Sequence, residues 1–245
     1  MVTYIKFSII IISYNYEKYL RPCIDSCLAQ SKDFNFEIII VNDGSTDNTV
    51  EVLRSFNSIN LTYYNIQNSG IEKASNFGIK KAVGEYIIRV DADDLLAPNF
   101  LKVVDQYVSK YSNNFFYSNY FTIDKTGEII EKIDLPEYSR MEIFERGDFL
   151  ATGTVYKKSH LEKIEYYSET KTNSGLENYE MVIKLILSGI DGIRIPENIF
   201  YYRRHNLNIS NIKRDTIIKN GFELFKRLNL GKYSTNSNHP YKLKI

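Results

Sequence analysis

Residues 85–94 read Glu-Tyr-Ile-Ile-Arg-Val-Asp-Ala-Asp-Asp, a β-rich apolar run that stops on three carboxylates in four positions. Carboxylates this close repel one another unless a cation or a helix terminus compensates. A hard divalent cation with oxygen ligands compensates them and can also hold a diphosphate. A solvated turn before a helix is the plainer reading of Asp91–Asp94. The strand directly ahead of them favours the metal.

Working outward, the same strand-then-polar pattern recurs. Phe7–Ser13 is a continuous apolar run ending at Ser13-Tyr14-Asn15, and Phe36–Val41 is another, ending at Asn42-Asp43-Gly44-Ser45. Helical spacing follows each: Glu17–Gln30 carries Tyr19/Leu20, Ile24 and Cys27/Leu28, and a helix near Thr46–Phe56 has Ser45 as its N-cap. Leu61–Asn65 reads as a short strand, Glu72–Ala82 as a helix and Glu85–Val90 as a strand. Pro98–Tyr111 reads as a helix with Pro98 in its first turn. Strands alternating with helices of this length make βαβ units and a mostly parallel sheet with helices on both faces. Ligands bind beyond the carboxyl ends of such strands. Three polar clusters on that one edge define one site, although Asp-Gly-Ser alone would signal only a turn and a helix cap.

After Phe115 the rhythm changes. Phe115–Ile123 and Glu128–Ile133 flank Asp-Lys-Thr-Gly as a hairpin, and Thr152–Lys157 is a further strand. Leu176–Leu187 is a helix ending near Gly189, and Ile199–Tyr202 is the last strand. We expect residues 1–112 to form a nucleotide-type α/β half, 113–210 a half of the same domain that completes an acceptor side, and 211–245 a basic amphipathic helix and tail.

At 245 residues the chain can bury a full core. Its 31 basic and 30 acidic side chains nearly cancel, so no global field draws nucleic acid. Cys23 and Cys27 lie on one helical face with no second pair to complete a zinc site, and read as buried, reduced thiols. The apolar start is too short for a membrane span. These features predict a cytoplasmic protein. Between Ile212 and Leu230, Ile217/Ile218, Phe222, Phe225 and Leu228 make an apolar stripe among lysines and arginines. Packing on the domain is the commoner fate of such a stripe, and peripheral contact with the inner face of a membrane is the minority reading.

Four segments then carry a resemblance: SIIIISYNYEKYLRPCIDSCLAQS, FEIIIVNDGSTDNT, NSGIEKASNFGIKKAVGEYIIRVDADDLLAPNFL and YYRRHNLNIS. In this order and spacing, over residues 7–210, the chain resembles a family-two glycosyltransferase with the GT-A fold. The resemblance implies sugar transfer, usually with inversion, from a nucleotide-diphosphate sugar, UDP-sugars being favoured. The implied acceptor is a saccharide or lipid-linked saccharide of bacterial surface glycan synthesis. It implies Tyr14 packing on the nucleobase and Asp43 accepting a hydrogen bond from it. Asp91 lies near the ribose as part of the DXD pair and is a further candidate metal ligand, and Asp93 ligates Mn²⁺ or Mg²⁺ beside the diphosphate. Arg203 and His205 fall where a loop covers the diphosphate, His205 as a further metal ligand; a basic solvated loop is their plain reading. Gly153 and Thr154 resemble an acceptor-side segment.

Two positions depart from the family. Ala74-Ser75-Asn76 stands where Ala-Arg-Asn is common, leaving Lys73 as the donor-side cation. Glu177-Asn178 stands where an acidic Glu-Asp pair supplies the catalytic base, and an amide cannot take a proton at neutral pH. Glu177 is the remaining candidate base, with Asn178 positioning the acceptor hydroxyl. The alternative is a domain that binds the nucleotide-sugar with little or no transfer. On the same helix Glu180 reads as solvated and ion-paired with Lys184 at i,i+4. A nucleotidyltransferase would need a Gly-rich, basic loop after the first strand; Ser13-Tyr14-Asn15-Tyr16 has none.

Overall fold

A computed structural model describes residues 4–30, 33–146, 153–206, 214–236 and 245. Thr152 and residues 207–213, which include part of the last resembling segment and the start of the expected C-terminal helix, lie outside the described residues.

β1 (Phe7–Ser13) is buried along its whole length, so both faces of the sheet at its centre are covered. The strand is nearly continuous apolar sequence for that reason: no position faces water. It pairs in parallel with β2 (Phe36–Asp43) and with β4 (Tyr86–Asp91), and β3 (Leu61–Ile66) pairs in parallel with β2. α1 (Glu17–Leu28), α2 (Thr49–Arg54) and α3 (Ile71–Lys81) follow their strands as crossovers. α3 comes close to the sheet because Gly78 has no side chain: a Cβ there would stand 2.6 Å from Ile10 Cγ2.

The second half continues the same sheet. β6 (Phe115–Ile123) runs parallel to β9 (Gly192–Arg203) over nine register pairs. The short β8 (Val155–Lys157) joins the two halves, antiparallel to β4 on one side and to β6 on the other. β7 (Ile129–Ile133) closes a hairpin with β6, where Asp124 Oδ1 accepts from the Thr126 amide at 2.8 Å and Gly127 takes a φ of 97°. β5 (Leu95–Leu96) pairs with β9. Parallel pairs run six to nine residues and antiparallel ones no more than four, a curled and mostly parallel sheet. The expected α/β class holds.

α4 (Phe100–Lys110) begins two residues beyond Pro98, and α7 (Glu177–Leu187) matches its expected span. β9 is much longer than the expected Ile199–Tyr202, because Ile193 and Ile195 are separated from Ile199 by Pro196-Glu197-Asn198, which hid the strand. α5 (Arg140–Arg146) and α6 (Lys158–Lys163) were not legible in advance. The Ser45 cap is corrected: Ser45 Oγ accepts from the Asn15 amide, and α2 starts later, with the Asp47 carboxylate taking the Thr49 amide at 3.1 Å.

α8 (Arg214–Arg227) turns Leu224 and Phe225 into the core, where Phe225 stacks on Tyr179 and meets the Tyr233 ring at a tilt. The apolar stripe therefore packs on the domain, although Phe222 remains half exposed. Among the described residues no helix is long and apolar enough to cross a membrane. Cys23 and Cys27 are buried free thiols.

Candidate active site

The carboxyl ends of β1, β2 and β4 meet at one edge of the sheet. Asn15, in the left-handed region at φ 60°, turns the chain after β1 and accepts the Thr46 amide through Oδ1 at 2.7 Å. This contact ties the end of β1 to the loop after β2 and leaves the Tyr14 ring half exposed beside it. Asp43, at the end of β2, is buried. Its Oδ1 accepts from the Ser69 amide at 2.8 Å and from Ser69 Oγ at 3.1 Å, and its Oδ2 accepts from the Gly70 amide at 3.0 Å. A carboxylate held this way compensates the positive end of α3. Lys73 is exposed on the first turn of that helix.

At the end of β4 the three aspartates part company. Asp93 Oδ2 lies 2.8 Å from His205 Nε2, with both side chains under 10% exposed. The imidazole is stacked on Tyr19 at a centroid distance of 5.1 Å and meets the Tyr16 ring edge-on, so its orientation is fixed. Asp94 Oδ1 accepts the Arg203 amide at 2.8 Å. The Arg203 guanidinium donates to the Asp93 carbonyl at 2.7 Å and to the Asp124 carbonyl at 2.9 Å, and lies over the Tyr19 ring. Arg203 is only 3% exposed. Its place in this structure is beneath the carboxylate loop, holding it, rather than out over a diphosphate. Burial, and then Asp93, Asp91 and Asp94, push the Tyr16 phenol well above its ordinary range, so Tyr16 stays neutral here.

Asp91 turns the other way, toward the second half of the chain. Arg89, buried on β4, donates to Asp91 Oδ1 at 3.0 Å and to Glu177 Oε1 at 3.3 Å. The guanidinium also lies 5.5 Å from the centre of the Tyr167 ring. Burial raises the Asp91 carboxyl to about 6; Arg89 opposes the shift, while Asp93 and Glu177 add to it. Asp91 is thus an ion-pair partner of Arg89, a contact that its expected role at the metal did not foresee. Glu177 is held by the same arginine. Asn178 Oδ1 accepts from Tyr167 Oη at 3.0 Å, so the amide is fixed beside the carboxylate. Glu180 does not pair with Lys184. It is buried against Arg227 at 2.7 Å, and Lys184 donates to the Tyr166 carbonyl.

Gly153 and Thr154 flank β8 near these groups: the Gly153 amide donates to the Arg89 carbonyl at 2.7 Å, and Thr154 is buried. Sequence reasoning missed Arg89, Tyr167 and Glu72. Glu72 accepts the Asn173 and Ser174 amides at 2.8 Å, tying the loop before α7 to the first turn of α3. A lone arginine inside an apolar strand, directly before a carboxylate cluster, was the available signal for the first.

As they stand, Asp93 Oδ2 and His205 Nε2 are hydrogen-bonded to each other at 2.8 Å. Two adjacent ligands at about 2.1 Å from one octahedral ion stand a similar distance of about 3 Å apart, so the same two atoms have the spacing for a divalent cation. Among the described residues no group of three or more His, Cys, Asp or Glu is placed to hold an ion. Two protein ligands suit Mg²⁺-like sites, which keep waters and take substrate phosphate oxygens.

Comparisons with known proteins bear on the family and the fold. The sequence pattern of glycosyl transferase family 2 matches residues 8–164. The chain is 29% identical over 227 residues to glycosyltransferase GlyG of Streptococcus pneumoniae, covering 85% of this chain and 74% of that protein. It is 32% identical over 123 residues to glycosyltransferase GlyA of the same bacterium, and 30% identical over 235 residues to chondroitin synthase of Escherichia coli. The chain spans only 18% and 33% of the length of those two. Staphylococcus aureus TarS in complex with UDP-GlcNAc superposes with a TM-score of 0.69 at 19% identity, covering 96% of this chain and 74% of that one. A mannosyltransferase from Pyrobaculum calidifontis in complex with GDP-Man and Mn²⁺ superposes at 0.68 with 16% identity, covering 95% and 66%. At these identities the structural likeness shows the fold alone, and the fold is GT-A.

Proposed function

The chain belongs to glycosyl transferase family 2, and from that premise we propose that it transfers a sugar with inversion from a nucleotide-diphosphate donor. The favoured donor is a UDP-sugar, and the acceptor is a saccharide or lipid-linked saccharide of bacterial surface glycan synthesis. The observation that carries this reading is the pairing of Asp93 with His205 at 2.8 Å beyond the carboxyl end of β4. It shares one sheet edge with Asp43 and Tyr14.

In this reading Asp93 and His205 hold Mn²⁺ or Mg²⁺, which neutralises the charge that builds on the leaving diphosphate. Tyr14 packs on the base and Asp43 accepts its N–H while keeping the Ser69–Gly70 loop in place. Lys73, exposed at the start of α3, supplies a cation toward the donor. Asp91 faces the ribose with one oxygen while Arg89 holds the other. Arg203 supports the donor site from below. Residues 1–112 form the donor half and 113–210 the acceptor half. Glu177 takes the acceptor hydroxyl's proton and Asn178 orients that hydroxyl.

A second reading has a specific observation behind it: Glu177 is engaged by Arg89 at 3.3 Å, and the neighbouring Asn178 is an amide, which hydrogen-bonds Tyr167 and cannot serve as a base at neutral pH. A domain so built binds the nucleotide-sugar and transfers slowly. Donor turnover with and without saccharide acceptors separates the two. Release of nucleoside diphosphate that rises with acceptor supports transfer, and tight donor binding without release supports the second reading.

A further inference from the structure

A cavity of about 250 Å³ with both polar and apolar lining lies between the loop before α7 and α8. It shares no residue with the strand ends that form the active site. Its size is below the roughly 300–1,000 Å³ of pockets that enclose drug-sized ligands, and suits a single ring.

The charges around it cancel locally. Lys171 is ion-paired with Glu223, and Arg227 with Glu180, so an ionic ligand finds no net attraction. What remains is hydrogen-bonding capacity over an apolar floor. Ser168 and Thr170 hydroxyls bond each other at 3.0 Å, and Asn220 donates to the Ser174 carbonyl and accepts from Lys171 Nζ, each at 2.8 Å, so the second lone pairs and the second amide hydrogen are what these groups offer a ligand. Buried Leu176 and Leu224 supply the apolar surface. A pyranose matches this combination, with hydroxyls around its rim and C–H groups on its faces.

One atom calls for a donor. Glu180 accepts Arg227 through Oε2, while its Oε1 is buried with no hydrogen-bond partner. A buried carboxylate oxygen left unpaired costs about 1–3 kcal/mol or more. Glu180 lines the cavity and the last torsion of a glutamate is soft, so rotation about it is the movement by which Oε1 would meet a donor there. We propose that this cavity is a second saccharide site, binding one neutral pyranose unit with a ring hydroxyl donating to Glu180 Oε1. The proposal does not depend on the donor reading, because the binding it describes involves neither nucleotide nor metal.

The test uses the whole chain without nucleotide or metal. Glucose, galactose and N-acetylglucosamine are titrated while the Asn220 side-chain amide is followed by NMR, with glucuronate and glucosamine as charged probes. At least one neutral sugar should shift Asn220 saturably. Thr170→Trp, on the exposed rim, should abolish the shift by filling the cavity. In Glu180→Gln, Arg227 retains the amide oxygen and the cavity meets an NH₂ instead of an acceptor. Affinity should fall about tenfold, the loss expected for one charge-assisted hydrogen bond. The proposal fails if no neutral sugar shifts Asn220, or if the shift survives Thr170→Trp. It also fails if Glu180→Gln is without effect, or if a charged probe binds better than every neutral one.

Discussion

Arg203→Ala separates a support from a ligand contact. The guanidinium donates two charge-assisted bonds to the Asp93 and Asp124 carbonyls and lies 5.0 Å from the centre of the Tyr19 ring. Hydrogen bonds to charged groups contribute about 1.5–3 kcal/mol each, and a desolvated cation–π contact up to about 2 kcal/mol. These terms are not additive, and water reaching the vacated space offsets part of the loss. The expected destabilisation is therefore about 3–5 kcal/mol, near what removing one member of a buried charged network costs. Urea unfolding of the ligand-free protein should show it as a lower midpoint with an unchanged slope. Arg203→Lys can reach one carbonyl only and should fall between the two. If Arg203→Ala loses under about 1 kcal/mol while nucleotide binding collapses, the arginine is a diphosphate ligand and its placement here is misread.

Asp43→Ala should weaken UDP binding by about 1–3 kcal/mol and also lower stability, because the Ser69 and Gly70 amides lose their acceptor; calorimetry and melting curves on one variant check both. Gly78→Ala should cost about 1–3 kcal/mol in urea unfolding, since its methyl would stand 2.6 Å from Ile10 Cγ2. With a folded pKa of about 6, above the ordinary 3.9 or so, Asp91 binds more protons folded than unfolded between those values. Stability should therefore fall as pH rises from about 4 to 6, by up to about 3 kcal/mol relative to Asp91→Asn, in paired denaturation curves. Glu177→Gln should slow transfer by about 10²–10⁴; if it is harmless and Asn178→Asp speeds turnover by orders of magnitude, Glu177 is not the base.

The donor half was legible because its signals are local. A strand buried on both faces must be apolar throughout, and a parallel sheet puts its polar strand ends on one edge; β1, β2, β4 and their clusters followed from that alone. Partner choice within those clusters was not legible. Asp91 closes β4 and shares a strand face with Arg89 two residues before it, whereas Asp93 lies in the turn beyond the strand, where that alternation no longer holds, and meets His205. Arg203 illustrates the same limit, since matched spacing places a residue near a site without saying whether it faces the ligand or the scaffold. Glu180 read as solvated because helix periodicity was judged without α8, whose Arg227 covers it. β9 was cut short because Pro196 interrupts its apolar pattern at the point where its register with β6 shifts.

Asp93 and His205 are proposed to hold a divalent cation against a nucleoside diphosphate. Isothermal titration of UDP and GDP, each with Mn²⁺ and with EDTA, tests it on the wild type, Asp93→Ala and His205→Ala. The account predicts that Mn²⁺ tightens binding of at least one nucleotide to the wild type. Either substitution should remove that gain, leaving the weak metal-free affinity in place. Binding that is equally tight in EDTA, or a metal gain that survives both substitutions, would contradict it.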